Sequence, residues 1–180
     1  MKNNHEIKAS LDRAAALVGA KPDVGRRAYK SNAIVEDGLV CSMSEKNWRF
    51  IADLPASMGG DNTGPSPSVL FRAAVSSCVA IGVKMWAARL EAPVARVEVQ
   101  FETDVDARGQ FGVCDSAPAG FERARLDIRV SSDAPENTVR KAIEKSMRYS
   151  PMLETITGRF AIDTRITIDR TVSEEQGIEA

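Results

Sequence analysis

The sequence predicts an α+β domain with an antiparallel sheet around one long apolar helix. Three observations carry this. Asp37-Gly38 lies between two short apolar runs and marks a hairpin. From Pro67 to Leu90 the only charged residues are Arg72, Lys84 and Arg89, so the segment reads as a helix buried on most faces. Two later stretches, around 97–105 and 123–130, alternate strictly between apolar and charged residues, the signature of paired strands with one buried face.

The elements follow in order. Ile7, Leu11, Ala14, Ala15 and Val18 recur at helical spacing, with Gly19 as the expected end. Residues 28–54 read as three strands, turning at Asp37-Gly38 and at Glu45-Lys46-Asn47. A Gly-, Pro- and Ser-rich loop leads to Ser66-Pro67, an N-cap followed by a proline at the first helical position. In the paired strands Val97, Val99, Phe101, Thr103 and Val105 face one way and Glu98, Gln100, Glu102 and Asp104 the other. Ala124, Leu126, Ile128 and Val130 repeat the pattern with Arg123, Arg125, Asp127 and Arg129 outside, so the outer faces are complementary in charge. Residues 107–120 read as a loop. Asp133 and Glu136 resemble a capping box, opening a helix whose inner stripe is Val139, Ala142, Ile143, Ser146 and Met147 and reaches Ser150 before Pro151. A short turn over Met152–Ile156 and a strand alternating Phe160, Ile162, Thr164, Ile166 and Ile168 complete the order. The domain is expected over 25–170, preceded by a helical extension at 1–24 and followed by an acidic tail at 171–180.

Composition narrows the function. The 180 residues carry 24 basic and 25 acidic side chains, a net charge of −1, which argues against general nucleic-acid binding. No uninterrupted apolar run reaches the ~18 residues of a membrane span, and the N-terminus shows no apolar signal core. Cys41, Cys78 and Cys114 are spaced for neither a metal site nor a disulfide framework, so no metal or cofactor is expected and a reducing compartment, the cytoplasm, is predicted. The lone histidine, His5, leaves thiols, carboxylates and arginines as the available chemistry. By itself Cys78, in the middle of the long helix, reads as a small buried hydrophobe. Cys41 shares a strand face with Leu39 and Met43. Cys114 sits in a polar loop beside Asp115 and near Glu122, which should disfavour its thiolate. An apolar helix this long is hard for one small chain to cover, so a homodimer is predicted.

Asp53-Leu54-Pro55, Gly59-Gly60, Gly64-Pro65-Ser66-Pro67, the long helix and Ser77-Cys78 together resemble the OsmC/Ohr family of osmotically induced and organic-hydroperoxide-resistance proteins. The element order fits over roughly 28–169. The resemblance implies an intertwined homodimer with active sites between subunits, where a cysteine pair, an arginine and a glutamate reduce peroxides. Cys78 matches the peroxide-attacking cysteine. Ser150, before Pro151, stands where the second cysteine would be, and Ser68 where the glutamate would be. No arginine falls at the matching early-strand position; Arg26, Arg27 and Arg49 are nearby. The expected site is therefore Cys78 as catalytic residue, with Arg49, Ser68 and Ser150 as substrate-binding positions. Three functions remain: a slow one-cysteine peroxide reductase drawing on an external thiol in oxidative-stress defence, a non-enzymatic binder of a small apolar ligand at the dimer interface, or an interaction protein in which Cys78 only packs.

Overall fold

A computed structural model describes residues 3–158, 162 and 164–166. The elements are α1 (Asn4–Ala20), β1 (Asn32–Val35), β2 (Cys41–Glu45), β3 (Trp48–Ala52), α2 (Pro67–Arg89), β4 (Val94–Val105), α3 (Ala107–Gln110), β5 (Phe121–Ser132), α4 (Glu136–Arg148) and α5 (Pro151–Thr157). They form an α+β fold with two antiparallel sheets, β1-β2-β3 and β4-β5. The predicted last strand and acidic tail lie outside the described residues, except Ile162 and 164–166, which belong to no regular element.

The β4–β5 ribbon forms as its alternation dictates. Val97 sits opposite Val130, Val99 opposite Ile128 and Phe101 opposite Leu126. On the outer face Arg125 donates to Glu102 at 3.0 Å and to both carboxylate oxygens of Asp104 at 2.7 and 2.8 Å. These hydrogen bonds lead the causes that hold Asp104 below the usual carboxylate range. The inner face lies against α2, where Val94, Ala87, Ala92 and Ala142 form a buried cluster flanked by Trp86, Val97 and Val130.

Helix α2 starts where the Ser-Pro pair predicts, although the Ser66 hydroxyl contacts the Ser68 hydroxyl at 3.1 Å instead of capping a helix amide. Its Val75, Val79 and Val83 are fully buried, each one turn from the next. By length and apolarity α2 could also cross a bilayer; its valine side is instead packed into the domain, as in the core helix of a folded protein. The opposite side is not covered by the described residues: Ile81 is 59% exposed, and Val69 and Met85 are exposed as well. The expected burial on most faces is thus met on one side only.

Gly82 sets the spacing of α2 and α4. A Cβ at Gly82 would overlap the Ser146 hydroxyl and lie 3.3 Å from the Ser146 Cβ. Because glycine presents only hydrogen there, Ser146 enters the groove of α2, fully buried, and donates to the Val79 carbonyl at 2.9 Å. Ala142, one turn earlier on α4, packs beside it with no exposure. Met147, predicted on this inner stripe, is exposed, because the stripe narrows to the small residues that permit close approach.

Several local expectations are corrected. The helix start near Asp133 uses no capping box: Pro135 is the cap residue and no side chain caps it. Ser132 instead ties the entry to α4, accepting from the Ala134 amide at 3.0 Å and donating to the Pro93 carbonyl at 2.6 Å. The first helix continues past Gly19 to Ala20 and is opened by a reciprocal Asn3–Glu6 box. Strand β2 begins at Cys41, so the Asp37-Gly38 turn sits in a longer loop than a tight hairpin. The segment 107–120, read as loop, contains the one-turn helix α3, capped by Asp106.

Extension α1 docks on the far end of α2. Asn4 donates to the Ala92 carbonyl at 3.3 Å, and Asp12 accepts from Arg89 at 3.2 Å and from Lys8 at 3.2 Å. The β1–β3 sheet is left with an apolar face, formed by Ala33, Val35, Met43 and Phe50 in register, that none of the described helices covers extensively. Trp48 is 69% exposed at its edge.

The loop between β3 and α2 is held by one carboxylate. Asp53, 2% exposed, accepts from the amides of Leu54 (2.7 Å), Asp61 (3.1 Å) and Thr63 (2.9 Å) and from the Thr63 hydroxyl (2.9 Å). Gly60 is required beneath it, since a Cβ there would overlap the Leu54 carbonyl. The Thr63 amide is the largest of the causes that hold Asp53 below its ordinary value of 3.8.

Two outcomes are expected. Gly82→Ala should cost about 1–3 kcal/mol of stability through overpacking, and Ser146→Ala in the same chain should recover part of it, as a double-mutant cycle in urea will show; additive losses would contradict the contact. Because the Asp53 pKa is depressed in the folded state, its contribution is fully present above the unfolded value and is lost as pH falls through the folded one. Wild type should therefore lose stability below about pH 4 more steeply than Asp53→Asn, which starts less stable at neutral pH. Parallel acid profiles of the two would contradict the clamp.

Candidate functional site

Cys78 lies one turn before Gly82 on α2, and Ser150, the N-cap of α5, lies four residues after Ser146 of α4. The close approach at Gly82–Ser146 therefore carries over to the next turn: the Cys78 thiol and the Ser150 hydroxyl are 3.3 Å apart. Pro151 ends α4 at this point, because the residue before a proline is driven out of the helical region; Ser150 accordingly adopts an extended backbone, with φ −77° and ψ 115°. Its hydroxyl caps α5, accepting from the Leu153 amide at 3.2 Å. With that amide donated into its oxygen, Ser150 keeps its own proton to offer to sulfur. Ser150 is 3% exposed, whereas Cys78 is only half-buried and retains a route to solvent.

Sulfur in this position can serve as a nucleophile whose charge is shared with one hydroxyl donor. Ser76 and Ser77 do not add to this, since both donate to helix carbonyls of Ala73 and Ala74 at 3.2 and 3.1 Å. Among the described residues Ser150 is the hydrogen-bonding side chain at Cys78.

The other expected positions lie elsewhere in this chain. Arg49 turns onto its own hairpin and donates to the carbonyls of Lys46 (3.2 Å) and Trp48 (2.9 Å). Arg27 donates to Val24 at 3.2 Å, and Arg26 faces Asp23 at 4.0 Å. Ser68 is ten residues before Cys78 on α2, about 15 Å along the axis at 1.5 Å per residue, and lines a separate groove of about 720 Å³.

The remaining cysteines divide as follows. Cys41 is half-buried opposite Ala52. Cys114 departs from expectation. The Ser116 hydroxyl, 3.1 Å away, is the main cause that holds its thiol below the ordinary value, followed by the amides of Ser116 and Ala117. These local donors outweigh the acidic neighbours that were expected to raise it. The Cys114 amide and that of Val113 are anchored on the Arg108 carbonyl, which ties this loop to α3.

Ser150→Cys should place a second sulfur within bonding reach of Cys78. Mild oxidation of that variant is expected to form a disulfide between Cys78 and the introduced thiol, seen in the peptide map, at some cost from the lost cap of α5. A variant that keeps both thiols free under oxidant would contradict the contact.

The chain's relatives agree with this architecture. A family model described as OsmC-like protein matches residues 60–165, more than half of the sequence, while no curated protein sequence matches it. The fold is similar to that of an OsmC-like protein from Mycoplasma pneumoniae, with a TM-score of 0.62 at 13% identity, covering 73% of this chain and 89% of that one. It is also similar to an organic hydroperoxide resistance protein OsmC from Legionella pneumophila, with a TM-score of 0.55 at 16% identity over 73% of this chain and 90% of that one. An organic hydroperoxide resistance protein from Elizabethkingia anophelis gives the same score and identity over 74% and 90%. At such identities the structural likeness speaks for the fold alone. The family match, carried by the segment that contains both Cys78 and Ser150, places this chain in the OsmC-like protein family.

Proposed function

We propose that the protein is a one-cysteine, thiol-dependent hydroperoxide reductase of low turnover, acting through Cys78 in oxidative-stress defence. The observation that carries this reading is the 3.3 Å contact between a half-buried Cys78 and the Ser150 hydroxyl. Two structural relatives are named organic hydroperoxide resistance proteins, which supports the substrate class.

The chemistry balances as follows. The Cys78 thiolate attacks the outer oxygen of ROOH, the O–O bond breaks, and the departing alkoxide takes up a proton to leave as ROH. Sulfur is oxidised by two electrons to a sulfenic acid. Serine cannot form a disulfide, so Ser150 cannot resolve it, and its hydroxyl can only hydrogen-bond the sulfenate. One molecule of external thiol then attacks the sulfenic sulfur, releasing water and leaving a mixed disulfide. A second thiol frees Cys78 and carries away the oxidised pair. A cycle that consumes external thiols suits a reducing compartment such as the cytoplasm.

The active form in this reading is a homodimer. The uncovered apolar face of β1–β3 and the open side of α2 at Val69, Ile81 and Met85 are the surfaces it would bury, since patches of this kind mark association sites. In this reading the partner subunit supplies the arginine for Cys78.

Peroxide consumption with added dithiol should fall to the background rate in Cys78→Ser and stay near wild type in Cys114→Ser. Without added thiol, at most about one equivalent per Cys78 should be consumed, and a sulfenic-acid trap should label Cys78. Equal rates in wild type and Cys78→Ser, with no label on Cys78, would overturn this reading and leave small-ligand binding or an interaction role in which Cys78 only packs.

A further inference from the structure

The groove of about 720 Å³ between the 53–66 loop, the start of α2 and the open end of the β4–β5 ribbon has walls of the wrong kind for a bare structural crevice. Met58, Phe71 and Phe121 line it, the two rings 5.4 Å apart, and its volume is in the range of small-molecule sites. Into this apolar space α2 projects Arg72.

Arg72 is half-buried and makes one hydrogen bond among the described residues, from Nη1 to the Thr103 hydroxyl at 3.3 Å. No described carboxylate lies within 4 Å of it. The nearest acid along β4, Asp104, is committed to Arg125 on the other face of the ribbon. By contrast Arg89, Arg96, Arg108, Arg125 and Arg140 each hold a carboxylate. A guanidinium has five N–H donors in a fork that matches a carboxylate, and withdrawing it from water without a counter-charge is unfavourable. An anion with an apolar body would satisfy both halves of the groove at once, its head on Arg72 and its body along the two rings.

We propose that this groove binds an alkyl carboxylate, with Arg72 as the ion-pair partner of the head and Met58, Phe71 and Phe121 as the bed for the chain. Ser68, one of the expected substrate-binding positions, lines the same groove, but Cys78 and Ser150 do not, so the binding is read out independently of Cys78 oxidation.

Titration calorimetry of the full-length protein with decanoate and with decanol tests it. Decanoate should bind wild type at least tenfold more tightly than decanol. Arg72→Gln should erase that preference while leaving decanol binding and Cys78 labelling unchanged, and Arg72→Lys should keep part of it. Should the glutamine variant fail to fold, the wild-type preference and the lysine variant still decide. Equal affinities of the acid and the alcohol for wild type, unaltered decanoate binding in Arg72→Gln, or no decanoate binding, as when a second copy fills the groove, would each overturn the proposal.

Discussion

The arrangement rests on the approach of α4 to α2 at Gly82. A side chain larger than hydrogen at that position would strike Ser146. With glycine there, the Ser146 hydroxyl reaches the Val79 carbonyl and fixes how the two helices slide and rotate on each other. Everything of chemical interest on α2 inherits that register. Cys78 and Ser150 meet because each is one turn from the contact, on the side where the helices continue together. The valine ridge of α2 is buried by the same approach, and the aromatic start of the helix is left free to form a groove with β4 and β5.

Most of the element order is legible in the sequence, because periodicity and punctuation agree there. Ser66-Pro67 marks the start of α2, and alternating apolar residues with opposite outer charges mark β4 and β5 and their pairing. The approach of Ser150 to Cys78 is legible too, since the inner stripe of α4 extends to it. Gly82 is the site determinant that a reading of motifs passes over. It is one small residue inside an apolar run, and its meaning depends on a serine more than sixty positions away. Paired small residues on two helices that share a core are the signal that would have found it. Arg72 is hidden for a similar reason: a charge on an apolar helix reads as a solvated edge until the fold shows no acid beside it. The Asp133–Glu136 box failed because α4 opens two residues later than Asp133, with Pro135 as its cap residue and no side-chain cap. Cys114 was misjudged because sequence neighbours were weighed and the hydroxyl two residues on was not.

Two features proposed to carry chemistry therefore lie on a single helix. Near its middle is a thiol whose fixed neighbour can donate a hydrogen bond but cannot form a disulfide. Near its start is an arginine with no acid beside it among the described residues, set in an aromatic groove. Replacing a resolving thiol by a hydroxyl keeps the helix corner intact, because serine caps α5 while filling much the same space. In the proposed cycle the oxidised sulfur then has to wait for a thiol from solution.

The central claim is that Cys78 is the reacting atom and Ser150 its fixed neighbour. A crystal structure of the protein after brief treatment with stoichiometric hydroperoxide tests this most directly. The account predicts one added oxygen on the Cys78 sulfur, with the Ser150 hydroxyl within hydrogen-bonding distance of the oxidised group and α5 still capped by Ser150. A reduced Cys78 beside an oxidised Cys114, or a Cys78 oxidised with Ser150 turned away from it, would contradict the account.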